Sequence, residues 1–571
     1  MFLSGRLFPK ANIPYNYDMN DKKNRVVYIV SGLILLVAVF FRFFRFPSVP
    51  PSLNWDEAAF GYNAYSVLKT GKDEYGSFMP LYFRSLDDYK LPVYTYSTVL
   101  SIFFFGYNDF SVRFPSAFFG ICTVISIGFL AYGLTKNKWI GMSAGSIMAI
   151  LPWNVQFSRM AAEANAGLFF LTLGMTIFIF SVRKKHWMLL LSPVSFALSG
   201  YSYLSFRIVG PLLGFMLVIC FWKNLKMCGK KLISGFILTV IFIGMIFLVD
   251  MLMNNVHIRV KGTNVFSTQR VYNIFKHKEA EMFFDATKQI NISRRLFHDI
   301  TFFTSADVLI QGYLTHFSPA FLFFDYDEKQ HHTPFTGLMY LWMLPCILIG
   351  LYSLISHYRK SVWLSIVSFL LITPIPASIT WDIPHAIRAY GMCVPLVICA
   401  SVGVYVLYKT LRRLPKGFFI GMLLMIAAVS VSAYSYLHQY IIHLPVERSK
   451  DWVYGRKELT AYLEANKHKY KKIIISSSLE WPYIFLLYYS KYDPALYQKE
   501  GGTVSGGWGE ERNAYDIYEF HRFRREDINS PQTLFVGKKE EFQNSLHPLY
   551  HIDYLDGTPA IYMAEGGINA Q

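Results

Sequence analysis

The chain has 571 residues, 53% hydrophobic and 18% aromatic, with 16% charged and a formal net charge of +17. So apolar a composition excludes an ordinary soluble globular protein, and repeated apolar runs separated by short basic loops read as a polytopic membrane protein. Much of the positive charge lies in those loops, where it sets orientation, so it does not imply a nucleic-acid partner.

Residues 1–25 are polar and basic (Arg6, Lys10, Lys22, Lys23, Arg25), which predicts a cytoplasmic N-terminus. The first span runs from Val26 to about Phe46. It lacks a small-residue cleavage site and is followed by Arg42, Arg45 and prolines, so it reads as an anchor rather than a signal peptide. An outer loop at 47–90 follows, carrying Trp55-Asp56-Glu57 and then Asp87-Asp88-Tyr89-Lys90. An Asp–Glu pair beside a span is expensive to desolvate, so it marks a site or stays in water. In the solvated reading, Asp56 caps a helix that begins at Glu57. Apolar residues at helical spacing over Ala59–Leu68 predict a short amphipathic helix on the membrane surface.

Leu91–Tyr107 is apolar enough to cross, but a crossing there would reverse every later basic loop, so it reads as re-entrant or shallow. Further spans fall at roughly 113–134, 139–153, 166–182, 187–204, 208–222, 232–250, 337–356, 361–379, 391–408 and 417–437, giving about eleven. The basic loops between them are expected in the cytoplasm, which puts a long loop at 251–336 and the C-terminal tail on the other face. Residues 26–437 thus form the membrane part and 438–571 a small α/β domain. In that domain Val453–Lys467 reads as a helix and Lys472–Ser478 as a strand, with Pro482–Tyr489 as a helix or strand. Thr533–Val536 and Ala560–Met563 read as further strands. The Gly501–Gly509 loop has no nucleotide-binding pattern. The six cysteines lie in or beside apolar segments, which argues against a disulfide framework.

The polar clusters share the predicted outer face. Arg159 and Glu163 stand four apart at a helix start, where a local salt bridge is the simple alternative to a role in a site. Arg207 lies at a membrane boundary, where it either snorkels or binds a lipid phosphate. His316 and the run Asp325, Asp327, Glu328, His331, His332 invite a metal reading, but the ligand spacing is irregular. Pro374 to Arg388, with Thr380, Asp382 and His385, holds more functional groups than a simple turn requires.

The acidic pair in the first large loop, Lys90-Leu91-Pro92, Arg113-Phe-Pro-Ser, and then Pro152, Arg159 and Glu163 resemble the GT-C membrane glycosyltransferases. The resemblance is to bacterial proteins grouped with protein O-mannosyltransferases (glycosyltransferase family 39) and the lipid A aminoarabinose transferase, and covers roughly residues 26–220. His316-Phe-Ser-Pro and Pro374 to Arg388 resemble a bacterial subgroup of these. The resemblance implies a GT-C fold, a polyprenyl-phosphate-linked sugar donor, a bacterial inner-membrane location and Asp56 as the main catalytic carboxylate. It also implies Lys90 at the lipid phosphate. The sequence departs from the more usual pattern with Leu91 in place of proline and with Glu163 where an aspartate is often found.

Sugar transfer from a lipid phosphate requires a base for the acceptor hydroxyl and cations for the departing phosphate. Asp56 fits the first requirement, with Glu57 and Glu163 as further catalytic candidates. Lys90, Arg159, Arg207 and Arg388 are candidates for the donor phosphate, and Tyr62, Asp88, His316 and His385 for substrate contacts. A single displacement would invert the anomeric centre, whereas retention would add a carboxylate nucleophile. No organic cofactor is expected, a divalent cation stays open, and the acceptor is not readable. The rival reading is a transporter or flippase of a lipid-linked or anionic solute, which would favour mid-bilayer ionisable residues and inverted repeats.

Overall fold

A computed structural model of the chain describes residues 21–566 apart from 87, 254–268, 289–300, 325–330, 381, 505–513, 529, 543–545 and 547. The helices of the first half are α1 (Asp21–Phe43), α2 (Trp55–Thr70), α3 (Pro92–Phe105), α4 (Asp109–Thr135), α5 (Lys138–Ile150), α6 (Pro152–Ser158) and α7 (Glu163–Lys184). They continue with α8 (Leu191–Gly200), α9 (Leu204–Cys220), α10 (Trp222–Lys226) and α11 (Lys230–Met253). Between α2 and α3 a small antiparallel hairpin pairs β1 (Phe83–Ser85) with β2 (Asp88–Lys90), setting Phe83 opposite Lys90.

Among the described residues, seven helices are long and apolar enough to cross a membrane, and four apolar helices are shorter. Pro92–Phe105, inside the segment expected to be re-entrant, is one of the shorter ones. Its 14 residues span about 21 Å at 1.5 Å per residue, less than a hydrocarbon core of about 30 Å. Small residues set the closest helix contacts. A Cβ on Gly350 would meet the Cys399 carbonyl oxygen at 1.8 Å, and one on Gly403 would meet that of Cys346 at 1.9 Å. The helices Met343–His357 and Cys393–Leu411 therefore touch backbone to backbone, as apolar helices do when lipid leaves them no hydrophobic drive to associate. All six cysteines are free.

Two buried arginines fasten the membrane helices end to end. Arg42 donates to the carbonyls of Ala38, Ala149 and Met148 and to the Asn154 side chain, closing the C-terminal end of α5 onto α1. Arg159 donates to the carbonyls of Phe41, Arg42, Phe44 and Val49 at 2.7–3.2 Å, capping the C-terminal end of α1. Helix ends leave carbonyls without intrahelical partners, and in an apolar surround each would otherwise be costly.

The C-terminal region carries a five-stranded sheet in the order β4-β3-β5-β7-β6. Its strands are β3 (Lys472–Ile475), β4 (Tyr518–Phe520), β5 (Thr533–Gly537), β6 (Tyr550–Asp553) and β7 (Pro559–Glu565). β3 runs parallel to both β4 and β5, while β7 is antiparallel to β5 and β6. The run Ile473–Ile475 is wholly buried, because both faces of the sheet are covered, one by Phe485 and Leu487 of a helix and the other by Phe523, Ile528 and Leu546, as a continuous apolar strand requires. The strand expected through Ser478 stops at Ile475, and its serines form a tight turn. Pro482–Tyr489 is a helix.

That helix lies on α2. A Cβ on Gly61 would meet the Tyr488 ring at 2.4 Å, so only glycine admits this contact. Helix α2 is accordingly buried from Glu57 to Ala64, which corrects the expectation of a helix lying on the membrane surface. Its weak amphipathic pattern reflects cover from two sides, by membrane helices below and the C-terminal sheet region above.

Candidate active site

The acidic pair sits at the first turn of α2, and the structure separates its two members. The helix starts at Trp55, and its N-cap is Asn54 rather than Asp56. The Asn54 side chain accepts from the Glu57 amide at 2.9 Å while Glu57 accepts from the Asn54 amide at 3.1 Å, a reciprocal capping box. Glu57 is fully buried and forked by Arg113 at 2.9 and 2.8 Å, and it also accepts from the Ala161 amide. Arg113 spends its remaining donors on the carbonyls of Pro47, Pro50 and Ser52. Glu57 thus anchors the loop that carries Asp56, and the candidate catalytic role given to it has no room here.

Asp56, one residue earlier and about 100° around the helix, stays partly in the open. Its carboxylate lies 2.8 Å from Lys90 Nζ, with side-chain exposures of 38% and 8%. The hairpin delivers Lys90: pairing with Phe83 ends β2 where α3 begins, and Pro92 at the first position of α3 fixes the turn. A lysine kept 92% out of solvent needs a counter-charge, and Asp56 supplies one. The Asp88 side chain lies outside the described residues, although its backbone pairs with Ser85.

Arg207 meets the chain at Tyr82, the residue before β1. Its Nε donates to the Gly200 carbonyl at 3.1 Å, and its Nη2 to the Tyr82 hydroxyl at 2.7 Å while lying 3.3 Å from Asp250. Tyr82 in turn donates to Asp250. The rings of Tyr82, Tyr201 and Phe247 surround the guanidinium at 5.2–5.5 Å, a cation–π cage. Among the described residues Nη1 carries no hydrogen bond. The sequence reading passed over Asp250, although an acid at the end of an apolar span was the available signal.

The remaining candidates fall elsewhere. Arg159 caps α1 with its guanidinium, so the local pair with Glu163 that the spacing allowed does not form. Glu163 opens α7 and is 6% exposed. Tyr62 is buried under the C-terminal region, its hydroxyl donating to the Tyr492 carbonyl at 3.4 Å. His316 is fully buried. Its Nε2 accepts from the His385 amide at 3.3 Å, so Nδ1 carries the proton and donates to the Gly312 carbonyl at 2.8 Å. Burial pushes its pKa down to about 4, and the ring stays neutral as a tie between two loops. His385 packs on the His331 ring at 5.0 Å with Asp382 3.9 Å from its Nε2. Arg388 donates to Thr380 Oγ1 at 3.0 Å. Among the described residues no three His, Cys, Asp or Glu side chains are grouped to hold a metal ion. Asp325, Asp327 and Glu328 lie outside the described residues.

ArnT from Cupriavidus metallidurans bound to undecaprenyl phosphate superposes with a TM-score of 0.52 at 12% identity, over 96% of this chain and 98% of that one. The same protein in the apo state gives 0.51 at 10% identity, over 95% and 98%. This chain has the GT-C fold. The family model for dolichyl-phosphate-mannose-protein mannosyltransferase matches residues 32–260, the part that carries the second half of α1, α2–α11 and the hairpin. The Archaeoglobus fulgidus oligosaccharyltransferase gives a TM-score of 0.49 at 12% identity; this GT-C chain spans 61% of its length. No curated protein matches the chain.

Proposed function

We propose that the protein transfers a sugar from a polyprenyl-phosphate-linked donor to an acceptor hydroxyl at the outer face of a bacterial inner membrane, with inversion and with Asp56 as the base. The observation that carries this reading is the ion pair between half-exposed Asp56 and nearly buried Lys90. A lysine whose ammonium meets a half-exposed carboxylate is poised to exchange that contact for a phosphate. The donor phosphate takes the Lys90 ammonium, which leaves the Asp56 carboxylate free to receive the acceptor proton.

In the step itself the acceptor hydroxyl loses its proton to Asp56 while its oxygen forms a bond to the anomeric carbon. The bond from that carbon to the phosphate oxygen breaks, and its electron pair leaves with the polyprenyl phosphate. Lys90 receives the charge that develops on the leaving group. Arg207 supports the phosphate through its open Nη1, with Asp250 and Tyr82 fixing the plane of the guanidinium. The undecaprenyl phosphate bound by the similarly folded ArnT agrees with a lipid phosphate in this role.

Purified protein incubated with radiolabelled polyprenyl-phosphate sugars tests the reading. A transferase releases polyprenyl phosphate and labels an acceptor; a transporter or flippase moves the intact donor. A reporter fused after Gln571 that is active only outside the cytoplasm is the outcome expected for the orientation.

A further inference from the structure

The loop that leaves the carboxyl end of β3 reaches Trp55, the residue before Asp56. β3 is flanked by β4 on one side and β5 on the other, so the chain leaves β3 in one direction and returns across it in the other. The two faces of the sheet are packed separately. Ile473 and Ile475 join the core that includes Phe485 and Tyr488, whereas Ile474 joins Phe535 and Ile528. The connections leaving β3 and β4 therefore run to opposite faces, a switch point of the kind that forms a crevice beyond the carboxyl ends of two strands. In open α/β sheets that crevice is where ligands bind.

The loop leaving β3 at this point is Ser476–Trp481. Ser476 and Ser478 both donate to the Glu541 carboxylate, which fixes the turn. Glu480 and Trp481 then both adopt positive φ, 54° and 46°. Two consecutive non-glycine residues in the left-handed region cost energy and persist only where the surroundings hold them. The result is that the Trp481 ring meets Trp55, centroid to centroid at 5.4 Å and tilted by 51°. Trp55 immediately precedes Asp56, and both indoles are half-buried rather than sealed in the core.

We infer that Trp55 and Trp481 form a platform for the acceptor, and that this acceptor is a saccharide. The inference rests on the proposed transferase reading and adds the acceptor class to it. A sugar ring shows one face of C–H bonds and a rim of hydroxyls. Two tilted indoles match the face, while the polar loop Ser476–Glu480, directly before Trp481, and Asp56, directly after Trp55, offer groups for the rim. Because one indole comes from the membrane part and the other from the C-terminal region, the site is complete only when the two are docked. That docking is secured by Gly61 against Tyr488 and by Lys457 on Asp109 at 3.0 Å.

The test uses the full-length protein in detergent with a panel of defined neutral oligosaccharides (gluco-, manno-, galacto- and arabino-configured), and a Ser/Thr peptide as the second arm. Release of polyprenyl phosphate from a labelled donor is followed as acceptor concentration varies. The expected result is stimulation by a saccharide, a rise of tenfold or more in acceptor KM for Trp481→Ala, and recovery to within about threefold in Trp481→Phe. Affinity for polyprenyl phosphate should be unchanged in both variants. Stimulation by the peptide alone overturns the saccharide assignment, and an unchanged acceptor KM in Trp481→Ala overturns the platform. A loss that Trp481→Phe does not restore, accompanied by weakened lipid-phosphate binding, also overturns it in favour of a purely structural tryptophan. If the wild-type protein releases no polyprenyl phosphate with any donor while still binding it, the transferase reading itself fails.

Discussion

Glu57 and Arg113 form a forked, fully buried ion pair with contacts of 2.9 and 2.8 Å, directly adjacent in sequence to the half-exposed carboxylate of Asp56. One turn of helix thus holds a carboxylate that builds the loop and another that is left available. The distinction follows from the 100° step between neighbouring helix positions: residue 57 points at α4 and the turn between α6 and α7, whereas residue 56 points towards the hairpin.

This predicts opposite phenotypes for two adjacent substitutions. Asp56→Asn should fold normally and lose about 10²–10⁴-fold in turnover, as removal of a general base does. Glu57→Gln should instead destabilise the protein by about 3–5 kcal/mol, since it leaves Arg113 buried without its counter-charge. Thermal unfolding in detergent separates the two: the first variant should keep the wild-type midpoint, and the second should lower it. Normal transfer by Asp56→Asn would remove the carboxylate from the mechanism.

Lys90→Ala should weaken binding of the lipid phosphate by about 1.5–3 kcal/mol, the worth of a charge-assisted hydrogen bond. Arg207→Ala should act in the same direction. Asp250→Asn should have a smaller effect, because Tyr82 and the aromatic cage continue to hold the guanidinium. Titration with undecaprenyl phosphate checks all three, and equal affinities throughout would show that these residues only brace the hairpin.

Docking of the C-terminal region should depend on residue 61. Gly61→Leu drives a side chain into Tyr488 and Val112, where even a Cβ comes within 2.4 and 2.9 Å. The expected outcome is a protein whose membrane part survives while residues beyond about 448 become sensitive to limited proteolysis. Sugar transfer should fall with it.

That docking should also respond to pH. Glu74 is buried, bonds Asn63 at 2.8 Å and accepts from Thr503 Oγ1 at 2.8 Å, and desolvation raises its pKa to about 7. Asp73 is raised in the same direction by burial. A carboxyl whose folded pKa lies above its unfolded value binds its proton more tightly in the folded state. Its contribution is fully present below about pH 4.5 and is lost as pH rises through about 7. Between pH 5 and 8 the cost should reach about 2–3 kcal/mol. Glu74→Gln should flatten this dependence, as read from the unfolding midpoint across that range.

The sequence by itself determined that the chain is a membrane protein, where most of its apolar helices fall and what the acidic pair is made of. These are local properties: hydropathy, helix length and the chemistry of single side chains require no knowledge of distant neighbours. The C-terminal strands at 472, 533 and 560 were legible for the same reason, as short apolar runs between turns. The short strand Tyr518–Phe520 carries too few residues for periodicity to register and became visible only through its pairing with β3. Tertiary structure alone decided which carboxylate faces the hairpin. It also decided that Arg159 caps a helix 115 residues away instead of pairing with Glu163, and that Tyr62 lies beneath the C-terminal region. Each of these depends on partners supplied from far along the chain. A charged side chain in an apolar surround takes whichever partner the fold brings to it, because the cost of leaving it unpaired exceeds any local preference. Trp481 meets Trp55 across 426 positions for the same reason: their encounter is a property of how the sheet region seats on α2.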